Sequence, residues 1–137
     1  MTNENLQVLI IDDDDINNFI ASKLLDKIPP KATVKVCVNG LEGINYMKSV
    51  LGNEEVIPDI IFLDINMPLM NGWEFLEEFE NIKDQIKKRV VINMLSSSVY
   101  NDDIVKAETF TTVNKFISKP LTVDKIQELY NSLNLTA

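Results

Sequence analysis

Asp59-Ile60-Ile61-Phe62-Leu63-Asp64-Ile65-Asn66-Met67-Pro68-Leu69-Met70-Asn71-Gly72 is the stretch on which the fold turns. Four consecutive apolar residues, Ile60 to Leu63, end on a carboxylate. Pro68 and Gly72 then interrupt regular structure before a helical pattern begins. A short apolar run without polar alternation, bounded by turn residues, reads as a strand buried on both faces. Two other segments share this construction. Val8-Leu9-Ile10-Ile11 runs into Asp12-Asp13, and Val113 to Ser118 runs into Lys119-Pro120. As parallel strands of one sheet, the three would bring their terminal charges to one edge.

Outward from these runs, strand and helix patterns alternate five times. Leu6 to Asp12 reads as the first strand. The helix opened by Asp14 or Asp15 has apolar positions Ile16, Phe19, Ile20, Leu24 and Ile28 at a 3.6-residue period, and Pro29-Pro30 ends it. Thr33 to Val38 is the second strand. Asn39 and Glu42 have capping-box spacing and open a helix with Leu41, Ile44, Met47 and Leu51 on one face. After the strand from Asp59 to Asp64 comes a loop, then a helix from Gly72 carrying Trp73, Leu76 and Phe79. Arg89 to Leu95 is the fourth strand, followed by a Ser96-Ser97-Ser98 loop and a weakly patterned helix from Asn101 to Phe110. Asn114 to Ser118 is the fifth strand. Thr122 to Leu133 closes the pattern, with Val123, Ile126, Leu129, Tyr130 and Leu133 on one side. A crossover helix between successive strands dictates a parallel α/β sheet with helices on both faces.

The composition narrows the chemistry. The chain has 137 residues, 45% hydrophobic, with a net charge of −8. That length is expected to form one domain, over about residues 6–134, with no effector domain attached. The acidity argues against nucleic acid and anionic membrane surfaces as partners, because both need clustered cations. No apolar run reaches membrane-spanning length and no signal peptide opens the chain, so a cytoplasmic location is expected. With no histidine, Ser-His and Cys-His catalysis and histidine metal sites are excluded. The lone Cys37 reads as a small buried hydrophobe.

Asp12, Asp13, Asp64, Ser96 and Lys119 all fall at or just past strand ends, where ligands of such sheets bind. Two carboxylates 4 Å apart repel by about 4 kcal/mol at an effective dielectric of 20. Converging acids therefore call for a cation, and hard oxygens without His or Cys suit Mg²⁺. Asp14 and Asp15 read differently, as acids complementing a helix N-terminus.

These segments, in this order, resemble the receiver domain of two-component response regulators, the CheY-like superfamily. The matching text is Val8 to Asp14, Asp59 to Phe75, Val91 to Ser97 and Phe116 to Leu121. The resemblance implies a flavodoxin-like (βα)5 sandwich with strand order 2-1-3-4-5. It implies Asp64 as phosphoacceptor, with Mg²⁺ held by Asp12, Asp13, Asp64 and the backbone carbonyl of Asn66. It implies Lys119 and Ser96 as phosphoryl-binding groups, Ser96 and Phe116 as the switch pair, and a cis bond before Pro120. The implied partners are a histidine kinase or histidine phosphotransfer protein and a downstream protein target, with homodimerisation left open. Ser96 stands where Thr is commoner and Phe116 where Tyr is frequent. Asn66 and Ser98 flank the phosphoryl site.

Three other readings compete. An aspartyl-phosphate phosphatase of the haloacid dehalogenase class needs a second carboxylate two residues after the nucleophile, where this chain has Asn66. A receiver-fold module working without phosphorylation is the alternative, and a flavodoxin-like electron carrier would need a phosphate loop after the first strand. The expectation is therefore a stand-alone phosphoacceptor signalling protein rather than an enzyme. Trp73, Met67 and Met70 read as packing residues, and Lys83, Lys87, Lys88 and Arg89 as a solvated helix end.

Overall fold

A computed structural model describes residues 5–97 and 101–135. Every apolar run forms a strand and every strand pairs in parallel: β1 (Leu6–Ile11), β2 (Ala32–Cys37), β3 (Ile60–Asp64), β4 (Val91–Ser96) and β5 (Val113–Ser118). The order is β2-β1-β3-β4-β5, as the resemblance implied. Between the strands run α1 (Asp15–Lys27), α2 (Gly40–Ser49), α3 (Gly72–Ile82), α4 (Asn101–Glu108) and, last, α5 (Val123–Ser132). A 3-10 turn, Lys83–Gln85, extends α3.

Side chains alternate across the central strands and so divide the core into two layers. Leu9, Ile11, Ile61 and Leu63 face α2 and α3, meeting Ile44, Met47, Phe75 and Phe79. Val8, Ile10, Ile60 and Phe62 face α1 and α5, meeting Ala21, Leu25, Ile126 and Leu129. β3 is buried along its whole length, whereas the edge strands β2 and β5 carry Lys35 and Lys115.

Register levels the strand ends. Ile11 pairs with Leu63, so Asp12 lies level with Asp64; Asp64 pairs with Leu95, and Ser96 with Ser118. A bulge adjusts the last pair. Ile92 pairs with Val113 but Asn93 with Lys115, leaving Asn114 as the extra residue. The fully buried Asn93 uses that bulge: its Oδ1 accepts from Asn114 Nδ2 at 3.1 Å, and its Nδ2 donates to the Ile61 carbonyl at 3.4 Å.

Several helix-face expectations need correction. α1 does not bury Ile16, Phe19 and Ile20, which are 72%, 64% and 43% exposed; Asn18, Ala21 and Leu25 face the core, with Ile28 after them. A 3.6-residue period fits both stripes, and the sheet selects the one with smaller side chains. Leu41 and Val123 are exposed as well, while Phe75 is a core residue the period left out. Asn39 caps α2 by accepting from Glu42 N, but Glu42 reaches back to Val38 N rather than to Asn39. A complete capping box stands instead at Asn71 and Glu74 of α3. Lys88 is not simply solvated: it pairs with Asp59 at 3.2 Å and donates to the carbonyls of Glu54 and Ile57. Both Pro29–Pro30 and Lys119–Pro120 carry cis bonds; only the second was expected.

Gly72 is fixed by close approach. A Cβ there would lie 2.5 Å from the Asp64 carbonyl oxygen, and Gly72 N donates to Ile65 O at 2.8 Å. The start of α3 therefore rests directly on the end of β3. Gly72→Ala is expected to push α3 away and cost about 1–3 kcal/mol, the range for overpacking. Urea denaturation against wild type measures it, and an unchanged midpoint would contradict the contact.

Candidate metal centre at the sheet edge

The level strand ends gather the charges expected from the sequence. One carboxylate oxygen each from Asp12, Asp13 and Asp64 lies within 4.8 Å of the others. Asp12 and Asp64 are buried, at 1% and 7% exposure, and Asp13 is exposed. Lys119 Nζ enters from the other side of β3, 2.7 Å from Asp12 Oδ2 and 3.4 Å from Asp64 Oδ1. Its own backbone N–H donates to Ser96 O at 2.8 Å, tying the β5 end to the β4 end.

Local bonds orient each group. Asp12 N donates to Cys37 O of β2, and Asp12 Oδ1 accepts from Asp14 N at 3.0 Å, which curls the chain into α1. Asp14 then caps α1, accepting from Ile16 N and Asn17 N, so the helix-end reading of Asp14 holds. Asp64 Oδ1 accepts from Ile65 N at 2.9 Å. Both partners of Asp64 engage Oδ1. The loop after it passes Asn66, which is exposed, and turns at Leu69 with φ 67, where Met70 N donates to Pro68 O. Ser96 is buried at the end of β4, and Phe116 is half-buried against the α2–α3 layer. Ser98 lies outside the described residues.

The electrostatics favour a further cation. Fully ionised, three carboxylates and one ammonium sum to −2. Burial first, and the neighbouring Asp12 charge second, push Asp64 up to about 6 despite Lys119, with Asp13 adding to the rise. For Lys119, burial opposes the charged form, but its bonds to Asp12 and Asp64 outweigh it and raise its pKa. A hard, all-oxygen donor set with a residual charge of −2 fits a divalent cation such as Mg²⁺. Cys37 is buried, and burial lifts its thiol to about 11, consistent with a packing role.

One residue of this region carried no signal in the sequence reading. Asn18, on the buried stripe of α1, donates from Nδ2 to the Asp12 carbonyl at 2.8 Å. A polar residue where an apolar stripe should continue was the available clue, hidden because the other stripe of α1 was read as the core face.

The fold penalises ionised Asp64 relative to the unfolded chain. That penalty is full above pH 6 and vanishes as pH falls below the ordinary value of 3.8. In metal-free protein, Asp64→Asn should therefore stabilise the fold at pH 8, by on the order of 3 kcal/mol at 1.36 kcal/mol per pKa unit. The gain should fade toward pH 4. Thermal unfolding with chelator at both pH values tests this, and an equal effect at both would contradict it.

Comparison with known proteins agrees with the geometry. The family model described as the response regulator receiver domain matches residues 8–131. A response regulator structure from Cytophaga hutchinsonii superimposes with a TM-score of 0.82 at 37% identity, covering 93% of this chain and 96% of that one. Hybrid signal transduction histidine kinase G of Dictyostelium discoideum is 30% identical over 93% of this chain, which spans 4% of that protein. Two-component response regulator 24 of Arabidopsis thaliana is 28% identical over 98% of this chain and 88% of its own length. The first curated relatives it matches are longer, the chain spanning between 4% and 35% of them. The flavodoxin-like sheet, the acidic edge with its lysine and the family match together make this chain a member of the response regulator receiver domain family.

Proposed function

We propose that the chain is a phosphoacceptor of two-component signalling, taking a phosphoryl group onto Asp64 from a phosphohistidine of a histidine kinase or phosphotransfer protein. The observation that carries this reading is the environment of Asp64. Its Oδ1 is held by Ile65 N and Lys119 Nζ, leaving Oδ2 as the attacking atom. Oδ2 attacks phosphorus; the P–O bond forms as the P–N bond breaks, and the imidazole leaves and takes a proton from water. Lys119 Nζ donates to a phosphoryl oxygen and offsets its charge. Asp12, Asp13 and Asp64, with the Asn66 carbonyl, would hold Mg²⁺, which when bound neutralises charge on the phosphoryl oxygens. A carboxylate is a weak nucleophile, so positioning and charge carry the reaction.

The phosphorylated state adds about two negative charges beside Ser96. The Ser96 hydroxyl closing on that group, with Phe116 turning inward, would change the surface of α4, β5 and α5. Phe116 faces a groove of about 210 Å³ between α4 and β5, which gives its ring room to move. A downstream protein reading that surface is the output.

The donor side of the reading draws on exposed apolar groups beside the acidic edge. Ile16, Phe19 and Ile20 begin within two turns of the Asp14 cap, and Leu69, 79% exposed, projects from the loop after Asp64. A donor protein approaching Asp64 would rest on these groups.

Incubation with acetyl phosphate and Mg²⁺ should add one phosphoryl group, seen by mass spectrometry and absent in Asp64→Asn. Asp13→Ala should weaken Mg²⁺ binding roughly tenfold or more. No adduct on protein with Mg²⁺ bound would overturn the phosphoacceptor role. Phe19→Ala should slow transfer from a phosphohistidine protein roughly tenfold, as loss of an interface anchor does, while leaving the acetyl phosphate rate unchanged. Equal slowing of both would refute a docking role.

A further inference from the structure

We infer that Asn18 is a positioning residue for the acidic loop, acting through the Asp12 carbonyl and one buried water beneath Asp12 and Lys119. The inference rests on the proposed metal site. Asn18 is 6% exposed and occupies the α1 stripe otherwise formed by Ala21, Leu25 and Ile28. An amide buried there costs free energy unless it is bonded. Half of it is: Nδ2 donates to Asp12 O at 2.8 Å. Oδ1 has no protein partner among the described residues. Asn18 lines a cavity of about 10 Å³ whose polar lining is Asp12, Asn17, Asn18 and Lys119, the remainder being apolar. A polar cavity of that order holds a single water, which needs two or more polar partners. Asn18 Oδ1 is one, and the other polar side chains supply the rest.

The bond matters because of which carbonyl it holds. Asp12 is already fixed at its N–H by Cys37 O and at Oδ1 by Asp14 N. The Asn18 bond adds the Asp12 carbonyl, which fixes the plane of the peptide joining Asp12 to Asp13. That plane sets where the exposed Asp13 side chain starts, and so where its carboxylate meets the other two. A core asparagine present only for packing would have no such consequence.

The test separates these roles. Leu has nearly the shape of Asn and an apolar end, so Asn18→Leu removes both bonds and fills the cavity. In chelator the variant should stay folded with only a modestly lower unfolding midpoint, because the buried Asp12 carbonyl loses its donor while the leucine carries no polar group left to satisfy. Its Mg²⁺ affinity, measured by calorimetry, should nevertheless fall roughly tenfold, as when an outer support of a metal site is lost. Asn18→Ala, which cannot overpack, should show the same loss of affinity and serves if the Leu variant fails to fold. Affinity within twofold of wild type in a folded variant would overturn the positioning role. A high-resolution crystal structure should show a water within hydrogen-bonding distance of Asn18 Oδ1, and a dry cavity would overturn that part. Wild-type protein that binds no Mg²⁺ would instead refute the metal site itself.

Discussion

Lys119 Nζ, 2.7 Å from Asp12 and 3.4 Å from Asp64, is the contact on which the rest of the edge depends. The carboxylates come from β1 and β3 and the ammonium from the far end of the sheet, so no local segment contains the site. Without the lysine, two buried acids would stand side by side with their repulsion uncompensated. With it, Asp12 and Asp64 share one positive charge among more than one negative. Burial first, and the neighbouring Asp12 charge second, still hold Asp64 above the ordinary carboxylate value. That imbalance is a free-energy cost in the metal-free fold and becomes binding free energy for a divalent cation. Proton and metal then compete for the same oxygens, so metal binding weakens as pH falls.

Getting Lys119 to that position is a problem of backbone register. Side chains alternate along a strand, so a one-residue slip exchanges the faces of the sheet. Before the bulge, β5 runs 21 residues ahead of its partner (Ile92 with Val113); after it, 22 (Asn93 with Lys115). The added residue pairs Phe116 with Met94, so that both face the α2–α3 layer. Asn93 and Asn114 pin the shift by a side-chain bond at the bulge. A buried asparagine in a central strand is costly in an unpaired state, and here its cost makes the alternative register worse. The same logic runs through Asn18 on the same face of the sheet: each buried amide has a backbone carbonyl as one partner, and each fixes the geometry of a strand or loop that leads to the charged edge.

Much of this was legible in the sequence, and the reasons differ by element. The strands were readable because full burial demands unbroken apolar runs, and the site because its acids and lysine punctuate those runs at Asp12, Asp64 and Lys119. Strand order was not readable from periodicity; it came with the resemblance. The α1 face was misread because hydrophobicity alone identifies a stripe without saying whether it meets the protein's own core. Ile16, Phe19 and Ile20 form the more hydrophobic stripe, yet the sheet packs on Ala21, Leu25 and the amide of Asn18. Lys88 was misread for the converse reason: a lysine near a helix end looks solvated until the fold places Asp59 and two carbonyls around it. Residues that act through a backbone carbonyl, such as Asn18, or through the lack of a side chain, such as Gly72, leave almost no trace in composition.

Gly72 also suggests how an event at Asp64 would reach α4. The Asp64 carbonyl rests against Gly72, and the next residue, Trp73, stacks on Phe110 with ring centroids 6.2 Å apart while Lys106 Nζ lies 5.2 Å from the indole. Ala107 is the one residue of α4 that is buried among those described, and Val105 is 60% exposed. A helix with so little apolar burial lies at the low-stability end of the fold, and Trp73 reaches it through Lys106 and, just past its end, Phe110. In the proposed switch, a phosphoryl group at Asp64 would act on α4 from two sides, through Ser96 and β4 and through Gly72 and Trp73. The second route is the shorter in the chain, and it is built from rigid parts: a glycine too close to its neighbour to yield, followed by the largest side chain in the protein. Small displacements of the β3 end would pass into α3 with little loss, and α4, thinly held, is the element with the least to resist them.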